Sequence, residues 1–144
     1  CYGDLGVAIV LYQIGRIFEE KNWIDKGVEV LVYNALNRRD VQLNMVTDAG
    51  FCHGAVGIAH IYYRMWWNTN RQEFKDAAEY WFQVTLQMAY HKDGLAGYKT
   101  WYVPDLGGWA NRANLLEGIA GIGLSMLTFD KKIEPVWDEC FLLS

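Results

Sequence analysis

Residues 51–65, FCHGAVGIAHIYYRM, set a cysteine beside a histidine and then run at once into a glycine-punctuated apolar segment. The pattern Gly54-x-x-Gly57 followed by residues that are apolar on nearly all sides predicts a helix enclosed by protein rather than one lying on a surface. The same signature occurs twice more, as CYGDLGVAIVLYQIG from Cys1 and as LEGIAGIGLSML from Leu116. Gly3 and Gly6, Gly54 and Gly57, Gly118 and Gly121 superpose at spacings of 51 and 64 residues, so the variable length falls in loops. Glycines at i and i+3 share one helical face; they let a neighbouring backbone approach and allow a sharp, left-handed turn at the start of the helix.

Between the apolar copies lie segments of another character. Residues 22–38 carry Ile24, Val28, Leu31, Val32 and Ala35 on one face. Residues 71–90 carry Phe74, Ala77, Ala78, Trp81, Phe82 and Val84, with a polar stripe at Lys75, Glu79, Gln83 and Gln87. Enclosed helices alternating with helices that keep one wet side imply two concentric layers, and the fold class expected is all-α. Composition agrees: 52% hydrophobic residues supply a core, and only two prolines interrupt the chain. The stretch from 91 to 117, with Trp101, Tyr102 and Trp109, is long for a connection in a compact domain and reads as either a short hairpin or a lid over one end of the bundle.

Charge narrows the function. A net charge of −4, with no basic run, gives no footprint for nucleic acid, and no apolar segment is long enough for a membrane span. Three cysteines, Cys1, Cys52 and Cys140, are too few for a disulfide scaffold and favour a reducing, cytoplasmic setting. The chain opens on Cys1 without an initiator methionine, and the expectation is that it is a piece of something longer.

Close packing accounts for the glycines but not for what precedes them. The two residues before the first glycine are Cys1-Tyr2, Cys52-His53 and Leu116-Glu117. If the enclosed helices run parallel, these pairs gather at one end, and Cys1, Cys52 and His53 supply three ligands of the kind zinc prefers, leaving a fourth position open. Two thiolates and a neutral imidazole give a formally neutral centre that would take the proton from a thiol bound at the open position. Against this stand two alternatives: buried cysteines acting as small hydrophobes, and a Cys1–Cys52 disulfide. Tyr2 reads as a proton donor or substrate contact, with packing as its alternative. Asp4, Arg112 and Glu117 fall at the same end, where charges also serve as caps and dipole partners. His60 reads as a satisfied core histidine, His91 as solvated, and Cys140 as packing among apolar neighbours.

With CYGDLG at 1–6, CHGAVG at 52–57, LLEGIAGIGL at 115–124 and the ending WDECFLL, the whole chain resembles the C-terminal part of the LanC-like family, the lanthionine synthetase cyclases and their relatives. The resemblance implies an α/α toroid of inner and outer helices. It maps the family's zinc ligands onto Cys1, Cys52 and His53 and its active-site tyrosine onto Tyr2. The chemistry implied is Michael addition of a peptide cysteine thiol to dehydroalanine or dehydrobutyrine, giving a thioether ring. The implied partners are a dehydrated precursor peptide, a dehydratase, and either the remainder of the toroid or a second copy covering the open apolar faces. Three inner-helix copies are present, so the family's further catalytic histidine and aspartate have no counterpart here, and the 144 residues alone are not expected to turn over efficiently. The rival expectation is a non-cyclising zinc protein that binds glutathione or a thiol peptide.

Overall fold

A computed structural model describes residues 3–141 and 143. The architecture is helical: α1 (Asp4–Ile17), α2 (Lys21–Asn37), α3 (Ala55–Thr69), α4 (Gln72–Gln87) and α5 (Ile119–Lys131), with one two-stranded antiparallel ribbon, β1 (Thr100–Trp101) and β2 (Trp109–Ala110). Helices α1 and α2 form one hairpin and α3 and α4 the next; α3 touches both α1 and α5, while α2 touches α4. The copies of the glycine signature therefore make an inner layer, α1–α3–α5, and the one-faced helices an outer layer.

The outer helices follow their periodicity. Leu31 and Ala35 of α2 are buried with Ile24, Val28 and Val32 packed beside them; Phe74, Ala77, Ala78, Trp81, Phe82 and Val84 of α4 are buried, whereas Glu79, Gln83 and Gln87 face solvent. Each fully buried large side chain contributes roughly 1.5–3 kcal/mol relative to exposure. Rings connect the layers: Tyr62 of α3 stacks on Phe74 at 6.2 Å, and Phe82 of α4 on Phe129 of α5 at 4.0 Å. Left-handed residues end two of the helices, Asn70 after α3 and Lys132 after α5.

The inner layer departs from expectation in one respect. Only α3 is enclosed, with Val56, Ala59, Tyr62, Tyr63 and Met65 all buried. Helix α1 leaves Val7 65% and Ile17 73% exposed, with Val10 and Ile14 open beside them, and α5 exposes Leu127. The difference is positional, because α3 alone has an inner helix on both sides.

After α5 the chain turns back across the inner layer through a 3-10 segment, Val136–Phe141. Its Asp138 is fully buried and accepts from Arg64 Nη2 at 2.7 Å and Nε at 3.1 Å and from His60 Nε2 at 2.8 Å. Burial holds the His60 imidazole below its ordinary pKa, and so neutral, with its Nε2–H donated to Asp138. Burial alone would raise the Asp138 pKa; its bonds to His60 and Arg64 outweigh this and keep the carboxyl below its usual range. His60 is thus the core histidine that its place in the apolar run suggests, but it is satisfied only at Nε2: its Nδ1 meets no partner among the described residues. The segment also reaches α1, where Gln13 Nε2 donates to the Leu143 carbonyl at 2.7 Å.

Two expectations near the ends of elements need correction. Cys140 does not pack among apolar side chains; it is exposed and its thiol donates to the Trp137 carbonyl at 3.3 Å. His91 is not solvated but half-buried in an aromatic cluster, 4.3 Å from Tyr90 and 4.4 Å from Trp109 by ring centroids. The stretch 91–117 resolves as the hairpin of the two alternatives, with Trp101 paired to Trp109 across the ribbon.

Candidate metal centre

The loops that lead into α3 and α5 are built alike. The N–H of Ala55 donates to the Asp48 carbonyl at 2.9 Å and that of Gly54 to the Gly50 carbonyl at 2.9 Å. Sixty-four residues on, Ile119 donates to Arg112 at 3.0 Å and Gly118 to Asn114 at 3.1 Å. The repeat period is thus written in backbone hydrogen bonds. It also gives the glycines their reason. A Cβ on Gly57 would stand 2.0 Å from the Phe51 carbonyl oxygen, and one on Gly121 1.9 Å from that of Leu115. The glycines before the helices are extended, with φ of −92°, −99° and −105° at Gly3, Gly54 and Gly118, so the expected left-handed turn is absent; close approach explains Gly54 and Gly118, whereas Gly3 has nothing within 4 Å of where a Cβ would stand.

The two loops are joined directly, because the Cys52 N–H donates to the Leu116 carbonyl at 2.7 Å. The starts of α3 and α5 therefore share one end of the bundle. The start of α1 reaches the same place: a cleft of about 550 Å³ is lined by Gly3, Asp4 and Gly6 together with Cys52, His53 and Gly54. Apolar walls come from Val10, Phe51, Ile58 and Ile61, and the C-terminal segment closes one side with Phe141 and Leu143.

Cys52 is half-buried and His53 is 45% exposed, adjacent in the turn that precedes α3. A thiol and an imidazole side by side on an open cleft are chemically suited to a soft divalent cation such as zinc. Cys1 and Tyr2 lie outside the described residues, and among the described residues no three His, Cys, Asp or Glu side chains are grouped to hold a metal ion. Asp4 lines the cleft and pairs with Arg38 at 2.9 Å. Glu117 accepts from the Tyr102 hydroxyl, and the Arg112 guanidinium lies 5.3 Å from the Tyr102 ring centroid, which makes both part of the hairpin's anchorage.

One residue at the centre escaped the sequence. The Asp48 side chain is 1% exposed; its Oδ1 accepts from the Gly50 N–H at 2.9 Å, its Oδ2 accepts from the Trp101 N–H at 2.7 Å, and the same Oδ2 faces His53 Nε2 at 3.7 Å. Asp48-x-Gly50 reads as an ordinary turn, and nothing local announces that its carboxylate reaches both the ribbon and the imidazole.

Among the described residues no helix is long and apolar enough to cross a membrane. No curated protein matches the chain. The family model described as lanthionine synthetase C-like protein matches residues 1–142, and with the two-layered helical architecture of an α/α toroid already in view, the chain belongs to the lanthionine synthetase C-like family.

Proposed function

We propose that the chain is the zinc-bearing C-terminal portion of a lanthionine cyclase, with Cys1, Cys52 and His53 as metal ligands and Tyr2 as proton donor. The observation that carries this reading is the cleft on which Cys52 and His53 stand beside the start of α1, since Gly3 on its wall follows Cys1 by two residues. Bound there, zinc supplies the Lewis acidity that keeps a peptide cysteine as its thiolate near neutral pH. The protein's own part is to receive the peptide between Val10, Phe51, Ile58 and Ile61, exclude water, and bring the sulfur and the alkene carbon together. The sulfur adds to the β-carbon of dehydroalanine or dehydrobutyrine, and the thiol's proton is made good at the α-carbon, for which Tyr2 is the donor. Atoms are conserved, so the peptide changes connectivity without changing mass.

The substrate is then a precursor peptide already dehydrated by a partner dehydratase. The exposed apolar row on α1 is the face that further inner helices of a ring would cover, so turnover belongs to the closed ring rather than to these residues alone.

Two measurements test the reading. The purified chain should carry one zinc per molecule and lose it in the Cys1→Ala, Cys52→Ala double variant; a zinc-free wild type overturns the site. A protein bearing these residues within a closed ring should consume alkylatable thiols of a dehydrated, cysteine-containing peptide at constant peptide mass. Retention of all thiols while zinc is bound overturns the cyclase and leaves a thiol-binding zinc protein.

A further inference from the structure

We infer that Asp48 is the positioning carboxylate of the metal centre: it receives the Nε2–H of His53 and leaves Nδ1 as the nitrogen that ligates. The inference rests on the proposed zinc site and deepens it. Asp48 is almost wholly withdrawn from solvent, yet its two hydrogen bonds come from neutral backbone N–H groups, of Gly50 and Trp101. An ionised carboxylate has about four acceptor sites, so capacity remains on Oδ2. The polar atom facing that oxygen is His53 Nε2, at 3.7 Å, beyond hydrogen-bond length but within pairing distance. His53 is 45% exposed, so its ring has room to settle against the carboxylate when a ligand fixes it.

The carboxylate cannot move to meet other partners. Its residue is held at the backbone by the Ala55 N–H, and its oxygens by two separate segments of chain. A ring nitrogen engaged with a buried, fixed carboxylate is unavailable as a ligand, and metal-bound histidines characteristically donate their second N–H to such a group, which fixes the tautomer and raises ligand basicity.

The third copy of the loop separates this role from mere turn-building. There Arg112 stands in place of Asp48 and Glu117 in place of His53, and the turn is made all the same by the Arg112 carbonyl and by Asn114, whose Oδ1 accepts from the N–H groups of Glu117 and Gly118. The fold does not require a carboxylate at this position. The carboxylate occurs where the imidazole does.

The test loads the full chain with zinc and records long-range nitrogen–proton spectra of the His53 ring. The expected result is a protonated Nε2 and a metal-bound Nδ1; metal on Nε2 overturns the inference, and this readout needs no variant. Competition with a chromogenic chelator then compares wild type with Asp48→Asn. A loss of zinc affinity of roughly 10- to 100-fold supports the assignment, and unchanged affinity overturns it even if thermal stability falls, because the residue then serves only the turn and ribbon. A wild-type chain that binds no zinc sinks the metal site and this inference together, whereas zinc binding with either overturning result sinks the inference alone.

Discussion

Helices α1 and α3 begin with the same glycine signature and continue with the same apolar density, yet one is open and the other closed. Around α3, the preceding loop grips both glycines, the flanking inner helices cover both sides, and its buried His60 and Arg64 meet Asp138. Around α1, Gly3 has nothing within 4 Å of where a Cβ would stand, Val7 and Ile17 face outward, and the ion pair Asp4–Arg38 is about half exposed. The lesson is that the signature encodes a place in a layer rather than burial itself. Burial is completed by what lies on either side.

The largest contrast is electrostatic. Asp138→Ala removes the buried partner of Arg64, of which 1% of the side chain is exposed, and leaves the guanidinium beside a neutral His60 with the half-exposed Glu134 at 3.2 Å. Removing one partner of a buried pair costs about 3–5 kcal/mol, and Glu134 holds the loss to the lower end. The corresponding change in the open helix, Asp4→Ala, removes an exposed pair worth less than about 1 kcal/mol. Urea unfolding of the two variants should show a large fall in midpoint for the first and almost none for the second. Equal shifts would break the distinction.

The glycines give the next effect. Gly57→Ala forces a methyl to within 2.0 Å of a backbone carbonyl oxygen, which must shift the 48–54 loop and should cost about 3 kcal/mol. Gly3→Ala meets nothing and should stay within about 0.5 kcal/mol of wild type. Because the displaced loop also carries Cys52 and His53, the proposed zinc site predicts that the first variant loses zinc affinity along with stability and that the second loses neither.

A smaller effect follows from protons. The folded state keeps His60 neutral, so below its ordinary pKa of 6.5 the unfolded chain takes up a proton that the folded chain refuses, and stability falls as pH drops. Asp138 acts in the same direction at lower pH: its depressed folded pKa contributes stability above the ordinary value of 3.8, lost as pH falls through the folded value. A single refused proton gives a slope of at most about 1.4 kcal/mol per pH unit. The melting temperature should therefore decline from about pH 6.5 downward, and His60→Gln should flatten the upper part of that decline. A melting temperature that is level from pH 7 to 5 in the wild type would show that His60 titrates freely.

The layers were legible because periodicity is a side-chain property: three apolar runs and two one-faced helices announce inner and outer positions. What joins them was not. The loops DAGFCHG at 48–54 and RANLLEG at 112–118 share the same backbone hydrogen bonds while having little but an alanine and a glycine in common, since carbonyl and N–H groups leave no trace in residue type. The ribbon, of two residues per strand, is too short for alternation to show. At the proposed site, the pairing of Cys52 with His53 on the cleft could be read because a cysteine and a histidine at a repeated position stand out, whereas Asp48 looked like any turn aspartate and Cys140 like any cysteine among apolar neighbours. Partner choice depends on tertiary distance, which these local patterns do not carry.

The smallest effect on stability carries the sharpest test of the open edge. If the outward row of α1 is uncovered in the isolated chain, Val7→Lys should change unfolding free energy by no more than about 0.5 kcal/mol, since the side chain already stands 65% in solvent. Self-association should fall at the same time, because a charge interrupts the contiguous apolar patch formed with Val10, Ile14 and Ile17. The matching change in the enclosed helix, Val56→Lys, buries an unpaired ammonium and should abolish cooperative folding. Sedimentation velocity together with denaturant midpoints separates the two outcomes. If Val7→Lys destabilised the monomer as Val56→Lys does, α1 would have to be covered by its own chain, and the contrast between an open and a closed inner helix would be lost. If it left stability alone but dispersed oligomers, the row on α1 would stand as the surface on which the layer continues.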